Sequence, residues 1–265
     1  MISSVSNGKV KKAAALGKKA KYRRETGLYV VEGPKMAFEL PEDEIECVYV
    51  TENFLRSYQE IAKKMRKLKC MELVTDEVMK AMSDTESPQG ILAVARQHRY
   101  EMKDILKRQD KAHLIILETL QDPGNLGTIM RTAEAAGVSG IVMDRGTADI
   151  YSPKVIRSTM GAIFRMPFVY VEDLKSSLKE MKQAGICLYA AHLEGAKDYD
   201  KEDYTRDMGF LIGNEAKGLS ADITFMADAC VKIPMSGKVE SLNAAVAASV
   251  FMFEAARQRR SLGCQ

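Results

Sequence analysis

Residues that bind metals or carry redox chemistry are scarce in this sequence. Its 265 residues include three histidines and five cysteines, and the cysteines (Cys47, Cys70, Cys187, Cys230 and Cys264) are odd in number and nowhere form C-x-x-C. No metal site or redox chemistry is expected, and the thiols are expected to be reduced and mostly buried. Long apolar runs are missing too. The longest, such as AAVAASVFMF near the C-terminus, fall well short of the ~20 residues that span a bilayer. The N-terminal lysines are followed by no apolar segment, so a secretory signal is not expected and the protein is expected to be cytoplasmic. Both standard phosphate fingerprints, G-x-G-x-x-G and G-x-x-x-x-G-K-[ST], are absent as well, which argues against a dinucleotide or P-loop site.

What is present is an ordinary globular composition, 46% hydrophobic and 28% charged, in a chain long enough for two domains. Net charge is only +3, but it is unevenly spread. Residues 1 to 112 hold 22 Lys+Arg against 17 Asp+Glu, and the remainder holds 17 against 19. The run KVKKAAALGKKAKYRR (9 to 24) has eight basic residues and no acid, and RSYQEIAKKMRKLK (56 to 69) has six with one glutamate. A polyanionic partner fits this distribution. A solvated lysine-rich helix face is the alternative for either run alone.

The periodicity predicts a small N-terminal α/β domain, residues 1–107. It comprises a basic helix over 9 to 24, strands YVVEG, ECVYVT, CMELVT and GILAVAR, and helices near 34 to 40, 53 to 67 and 75 to 83. A polar stretch from Gln97 to Lys111 reads as a linker or bridging helix. Residues 108–265 then alternate short apolar strands with amphipathic helices. That pattern predicts a parallel sheet covered on both faces, with ligands beyond the carboxyl ends of the strands.

The loops after LETL, LIG and VKIP read QDPGNLGTIMR, NEAKGLS and MSGKVESLN. Each joins glycine to Asn, Ser or Glu, so free backbone amides and short polar side chains would meet at one sheet edge. Arg131 is predicted in the first turn of a helix over 126 to 136, where a cation opposes the helix dipole and calls for another explanation.

Together these segments resemble the three motifs of the SpoU family of RNA ribose 2′-O-methyltransferases. Asn125, Gly127 and Arg131 match the first motif. Gly213, Asn214, Glu215 and Gly218 match the second, and Ile233 to Met235 with Ser241, Leu242 and Asn243 match the third. RSTMGAIFRMP (157 to 167) is also similar to a family segment, and the match runs through the whole second domain in order. The resemblance implies an S-adenosylmethionine-dependent methyltransferase whose C-terminal α/β domain is tied in a deep trefoil knot. Nothing in the residues themselves predicts a knot, because threaded chains are very rare. It places the cofactor on Leu193, Gly213, Asn214, Gly218, Ile233, Met235 and Leu242, largely through main-chain groups. It places catalysis on Arg131, Asn125, Glu215, Ser241 and Asn243, with Arg131 against RNA to stabilise a developing oxyanion or clamp a phosphate. A homodimer is implied; the last helix, with Val246, Val250 and Met252, is a candidate interface and equally a candidate core element.

The N-terminal part is similar to the ribosomal-protein-like substrate-binding domain of many such enzymes. Lys18, Lys19, Arg23 and Arg24 are its expected RNA contacts, and ribosomal RNA is the expected substrate ahead of transfer RNA. The polar residues also have plain structural readings: Glu215 as a partner of Lys217 or Lys238, Asn243 and Ser241 as helix caps, Asn125 as a turn residue. His192 after LYAA could be a surface histidine as well as a base. The competing functions are a non-catalytic RNA-binding or ribosome-assembly protein, a nucleotide-dependent enzyme, and a tRNA or RNA-base methyltransferase.

Overall fold

Helix caps and left-handed glycines divide the chain where the sequence pattern changes. The computed structural model describes residues 1–58, 70–106, 111–193 and 197–263. The second basic run and the helix expected to continue to residue 67 therefore lie mostly outside the described residues, as does Cys264. By contact, the chain forms two compact units. One is Met1–His98 with Asp149–Phe164, and the other is Arg99–Ala148 with Arg165–Gln265.

In the first unit, Asn7 caps helix α1 (Gly8–Lys18) by accepting from the Lys9 N–H at 2.8 Å. Extended backbone at Lys19 ends α1 and separates it from α2 (Ala20–Thr26), so the single basic helix expected over 9 to 24 is two. Gly27, at φ +65°, closes α2 in the left-handed conformation that favours glycine. Strands β1 (Leu28–Glu32), β2 (Ile45–Val50), β3 (Met71–Leu73) and β4 (Ile91–Arg96) pair in the order β1-β4-β2-β3, with only β2 and β3 parallel. Short helices α3 (Pro34–Glu39) and α4 (Glu52–Ser57) connect strands of this sheet. Val10, Ala13 and Leu16 of α1 pack with Val78, Met79 and Met82 of α5 (Asp76–Met82) over the sheet residues Val30, Tyr49 and Leu92.

The β2–β3 pairing sets Val48 opposite Met71 and brings Cys47 and Cys70 together as a disulfide. This corrects the expectation of five reduced thiols. No spacing motif announces a pair whose members are 23 residues apart and meet only through strand register. Cys187 and Cys230 are free and half-buried.

Arg23 is a second correction. Expected on an RNA-facing surface, it is only 4% exposed. Its guanidinium donates to Asp149 Oδ2 from Nε at 2.9 Å and from Nη2 at 2.7 Å, and Nη1 donates to the Leu16 carbonyl at 2.6 Å. Asp149 belongs to the segment that folds with this unit, whose helix α8 (Pro153–Thr159) lies against β1. Lys18, Lys19 and Arg24 are exposed.

The second unit is built on a sheet of seven strands: β5 (His113–Leu117), β6 (Gly140–Asp144), β7 (Phe168–Val171), β8 (Cys187–Ala191), β9 (Lys197–Asp198), β10 (Met208–Ile212) and β11 (Ala229–Lys232). Their order is β7-β6-β5-β10-β8-β11-β9, and every neighbouring pair is parallel. The apolar runs become buried strands because helices cover the sheet: α6 (Met102–Leu106), α7 (Pro123–Ala135), α9 (Leu174–Gln183), α10 (Ala221–Met226) and α11 (Ala244–Gly263). A parallel α/β domain with a small N-terminal α/β domain is thus the fold, as the pattern predicts. No helix among the described residues is long and apolar enough to cross a membrane.

Candidate functional site

Parallel pairing puts the carboxyl ends of β5, β10, β8 and β11 side by side, so the loops that follow them share one edge. A cleft of about 410 Å³ lies there. Leu193, Gly213, Asn214, Gly218, Ile233, Met235 and Leu242 all line it, and so do Glu215, Ser241 and His192. Asn125, Arg131 and Asn243 are not among its lining residues. The expected cofactor residues are thus gathered in one place, whereas of the expected catalytic residues only Glu215 and Ser241 line the cleft.

The second-motif loop is a tight turn. Asn214 and Gly218 exchange backbone hydrogen bonds of 3.0 and 2.9 Å, and the Asn214 Oδ1 accepts from the N–H groups of Ala216 and Lys217 at 3.0 and 3.1 Å. Gly218 has φ +68°, a conformation L side chains rarely adopt, and a Cβ on Gly213 would overlap the Gly218–Leu219 peptide. Both glycines are therefore dictated by backbone geometry. Asn214 also donates Nδ2 to the Thr119 carbonyl at 2.8 Å, which fastens this turn to the loop after β5.

Glu215 takes neither lysine as partner among the described residues. Its carboxylate accepts from the N–H groups of Gln121 (3.1 Å) and Asp122 (2.9 Å) and from the Nδ2 of Asn125 (3.0 Å). Partial burial pushes its carboxyl up, but the hydrogen bonds from Gln121, Asn125 and Asp122 outweigh it and hold the group below the usual carboxylate range. An ionised, acceptor-only carboxylate with this many donors orders a loop and is poorly placed to accept a substrate proton.

Asn125 passes the connection on. Its Oδ1 accepts from Asn243 Nδ2 at 2.9 Å, and Asn243 Oδ1 accepts from the N–H groups of Ala245 (2.9 Å) and Val246 (3.3 Å) at the start of α11. The capping reading of Asn243 holds, and the same amide also joins the start of α11 to Asn125.

Arg131 requires a correction. Asp122 caps α7 by accepting from the Asn125 N–H at 2.8 Å, and Pro123 occupies the first helical position, so the helix begins at 123 and not at 126. Arg131 then lies more than two turns along α7, beyond the reach of the N-terminal dipole, and the supposed electrostatic conflict does not exist. Its environment is that of an available cation: it is exposed and, like Arg24, Arg99 and Arg260, has no ion-pair or hydrogen-bond partner among the described residues, whereas Arg23, Arg96, Arg145, Arg157 and Arg165 are paired with carboxylates.

The sequence reading missed two groups. Ala244, Ala247 and Phe251 line the cleft from α11, where an apolar residue at helical spacing looks the same as core. Thr119 and Asp144, at the ends of β5 and β6, hold the first loop. Asp144 accepts from the Thr119 N–H (2.9 Å) and Oγ1 (2.8 Å), and Thr119 has φ +55°. Of the three interface candidates on α11, Met252 is fully buried, while Val246 is 50% exposed beside an exposed Phe253.

Comparison with known proteins gives matches across both units. The family model of the SpoU rRNA methylase family matches residues 112–253, and that of the MRM3-like substrate-binding domain matches residues 7–93. RlmP of Bacillus subtilis, a 23S rRNA (guanosine(2553)-2′-O)-methyltransferase, is 32% identical over 255 residues, 95% of this chain and 97% of the relative. An rRNA methyltransferase from Sinorhizobium meliloti with AdoMet bound superimposes with a TM-score of 0.85 at 31% identity, over 97% of each chain. The SpoU methyltransferase AviRb from Streptomyces viridochromogenes, in complex with AdoMet, gives a TM-score of 0.85 at 28% identity, over 96% of this chain and 99% of that one.

Proposed function

The chain belongs to the SpoU rRNA methylase family, and from that premise we propose that it is an S-adenosylmethionine-dependent methyltransferase acting on a ribose 2′-hydroxyl of ribosomal RNA. The observation that carries this reading is the cleft. Its walls come from the loops after β8, β10 and β11 and the start of α11, and the Gly213–Gly218 turn is so tight that a side chain at Gly213 would overlap the Gly218–Leu219 peptide. Such a surface, with apolar and polar groups side by side, suits an adenosine and the sulfonium-bearing methionine portion of the cofactor, and it offers no P-loop for a phosphate.

Main-chain groups at Leu193, Gly213, Ile233, Met235 and Leu242 would hold the cofactor, with Asn214 and Gly218 shaping the turn. When bound, S-adenosylmethionine supplies an electrophilic methyl group. A ribose hydroxyl is a weak nucleophile, so positioning and stabilisation of its developing charge must come from the protein. Arg131, exposed and uncommitted, is suited to that task or to clamping the adjacent phosphate, because a guanidinium stays charged and presents paired donors. Ser241 on the cleft wall can donate to the reacting groups. Asn125, Glu215 and Asn243 act by fixing the three loops relative to one another.

Residues 1–107 are assigned to RNA binding and 108–265 to catalysis. Exposed Lys18, Lys19 and Arg24 would contact phosphates, an interaction that is salt-dependent and reads little sequence. The family's trefoil knot, a homodimer with α11 at its interface, and a cytoplasmic location complete the proposal. The half-exposed Val246 and Phe253 support the dimer.

The decisive experiment transfers a labelled methyl group from S-adenosylmethionine to ribosomal and transfer RNA and identifies the product after nuclease digestion. A 2′-O-methylnucleoside from ribosomal RNA is expected. A methylated base, or a product from transfer RNA only, would overturn the assignment.

A further inference from the structure

Thr119 is a β-branched residue in the left-handed region, at φ +55°, a conformation such side chains avoid unless the surroundings impose it. What imposes it is Asp144, the last residue of β6. Its Oδ1 accepts from the Thr119 N–H (2.9 Å), the Thr147 N–H (2.9 Å) and the Thr147 Oγ1 (2.8 Å), and its Oδ2 accepts from the Thr119 Oγ1 (2.8 Å). The backbone reversal at Thr119 points its carbonyl at Asn214 Nδ2, 2.8 Å away. Asn214 Oδ1 in turn closes the turn whose glycines line the cleft. Asp144 is not among the lining residues of that cleft.

We infer that Asp144 is a positioning residue for the cofactor cleft, acting through the left-handed Thr119 and its hydrogen bond from Asn214. The inference rests on reading the cleft as the S-adenosylmethionine site. If Thr119 relaxes to the extended region, its carbonyl swings away and the Asn214 side chain loses its anchor. The Gly213–Gly218 turn is then held from one side only.

The test measures S-adenosylmethionine dissociation constants by calorimetry, with thermal melts in parallel, on the full-length protein. Asp144→Ala is expected to weaken cofactor binding about tenfold or more, equivalent to about 1.4 kcal/mol. Thr119→Gly introduced into Asp144→Ala is expected to recover most of the loss, because glycine enters the left-handed region without needing the carboxylate. A purely structural role for Asp144 in β6 would show no such rescue. Should Asp144→Ala fail to fold, Asp144→Asn, which keeps the shape but puts an NH2 donor against the Thr119 hydroxyl that donates to Oδ2, is expected to show a weakening in the same direction and the same rescue. Binding within twofold of wild type in a folded Asp144 variant, or a loss that Thr119→Gly leaves untouched, overturns the inference while the function stands. Wild-type protein that does not bind S-adenosylmethionine overturns both.

Discussion

The Oδ1 of Asn125 accepts a hydrogen bond of 2.9 Å from the Nδ2 of Asn243, across 118 residues of sequence. With the Asn125 Nδ2 donating to Glu215, the loops after β5, β10 and β11 share one continuous polar chain. Removing one link leaves its neighbours unsatisfied, which gives the chain its testable property.

Asn125→Ala and Asn243→Ala are each expected to reduce kcat/KM for methyl transfer, and the double variant to lose less than the sum. A coupling of about 0.5–3 kcal/mol is the range for residues in one network. Steady-state kinetics on the four proteins give the number, and additivity within about 0.3 kcal/mol would show that the contact is idle.

Arg131→Ala should separate activity from folding. The side chain is exposed and unpaired among the described residues, so stability is expected to change by no more than about 0.5 kcal/mol. Turnover is expected to fall by about 10²–10³, the loss seen when one preorganised donor to a developing oxyanion is removed. Denaturant melts and single-turnover assays on the same preparation would decide. A stable variant at full activity removes Arg131 from the mechanism.

Gly213→Ala would place a methyl group inside the Gly218–Leu219 peptide. The expected cost is about 1–3 kcal/mol of stability, together with loss of cofactor binding. Gly237→Ala, where an added Cβ has no neighbour within 4 Å, is the control and is expected to stay within about 0.5 kcal/mol of wild type.

In the N-terminal unit, Arg23→Ala and Lys19→Ala should behave oppositely. The first breaks a buried pair with Asp149 and is expected to cost about 3–5 kcal/mol of stability. The second should leave the melt unchanged and lower the slope of log binding constant against log salt by about 0.7–0.9, one phosphate contact. Filter binding of ribosomal RNA at graded salt measures it.

Acid should loosen the cleft through Glu215. Its carboxyl is held below the usual range, so its contribution is complete above the unfolded value of about 4.3 and is lost as pH falls through the lower folded value. Cofactor binding that depends on Glu215 is therefore expected to be flat from neutral pH to about 5 and to decline below. Glu215→Gln should bind more weakly at pH 7 and lose that acid limb. An identical acid limb in the variant would assign the titration elsewhere.

The apolar strands of the sheet, from His113–Leu117 to Ala229–Lys232, were legible because burial on both faces writes continuous hydrophobic runs. Glycines and short polar residues made the strand-end loops legible, and the seven positions that the family resemblance implies for the cofactor all line one cleft. Three features were not legible. Asp-Pro-Gly reads as a turn and puts the start of α7 at 126, whereas the Asp122 cap starts the helix at Pro123. Arg23 sits in a basic run that looks solvated, and the Cys47–Cys70 disulfide depends on strand register.

Local chemistry alone therefore determined that this chain forms two α/β regions, where most strands and helices lie, and which glycine-rich loops follow the strands of the sheet. Those properties follow from hydrophobic period, turn residues and capping, which act over a few neighbours. Only the tertiary structure decided that Asn125, Glu215 and Asn243 form one hydrogen-bonded chain, that Asp144 holds Thr119 in a left-handed conformation, and that Arg131 is free while Arg23 is buried. Strand order and register set those relationships. They bring together groups 25 to 126 residues apart, a separation over which no local preference acts.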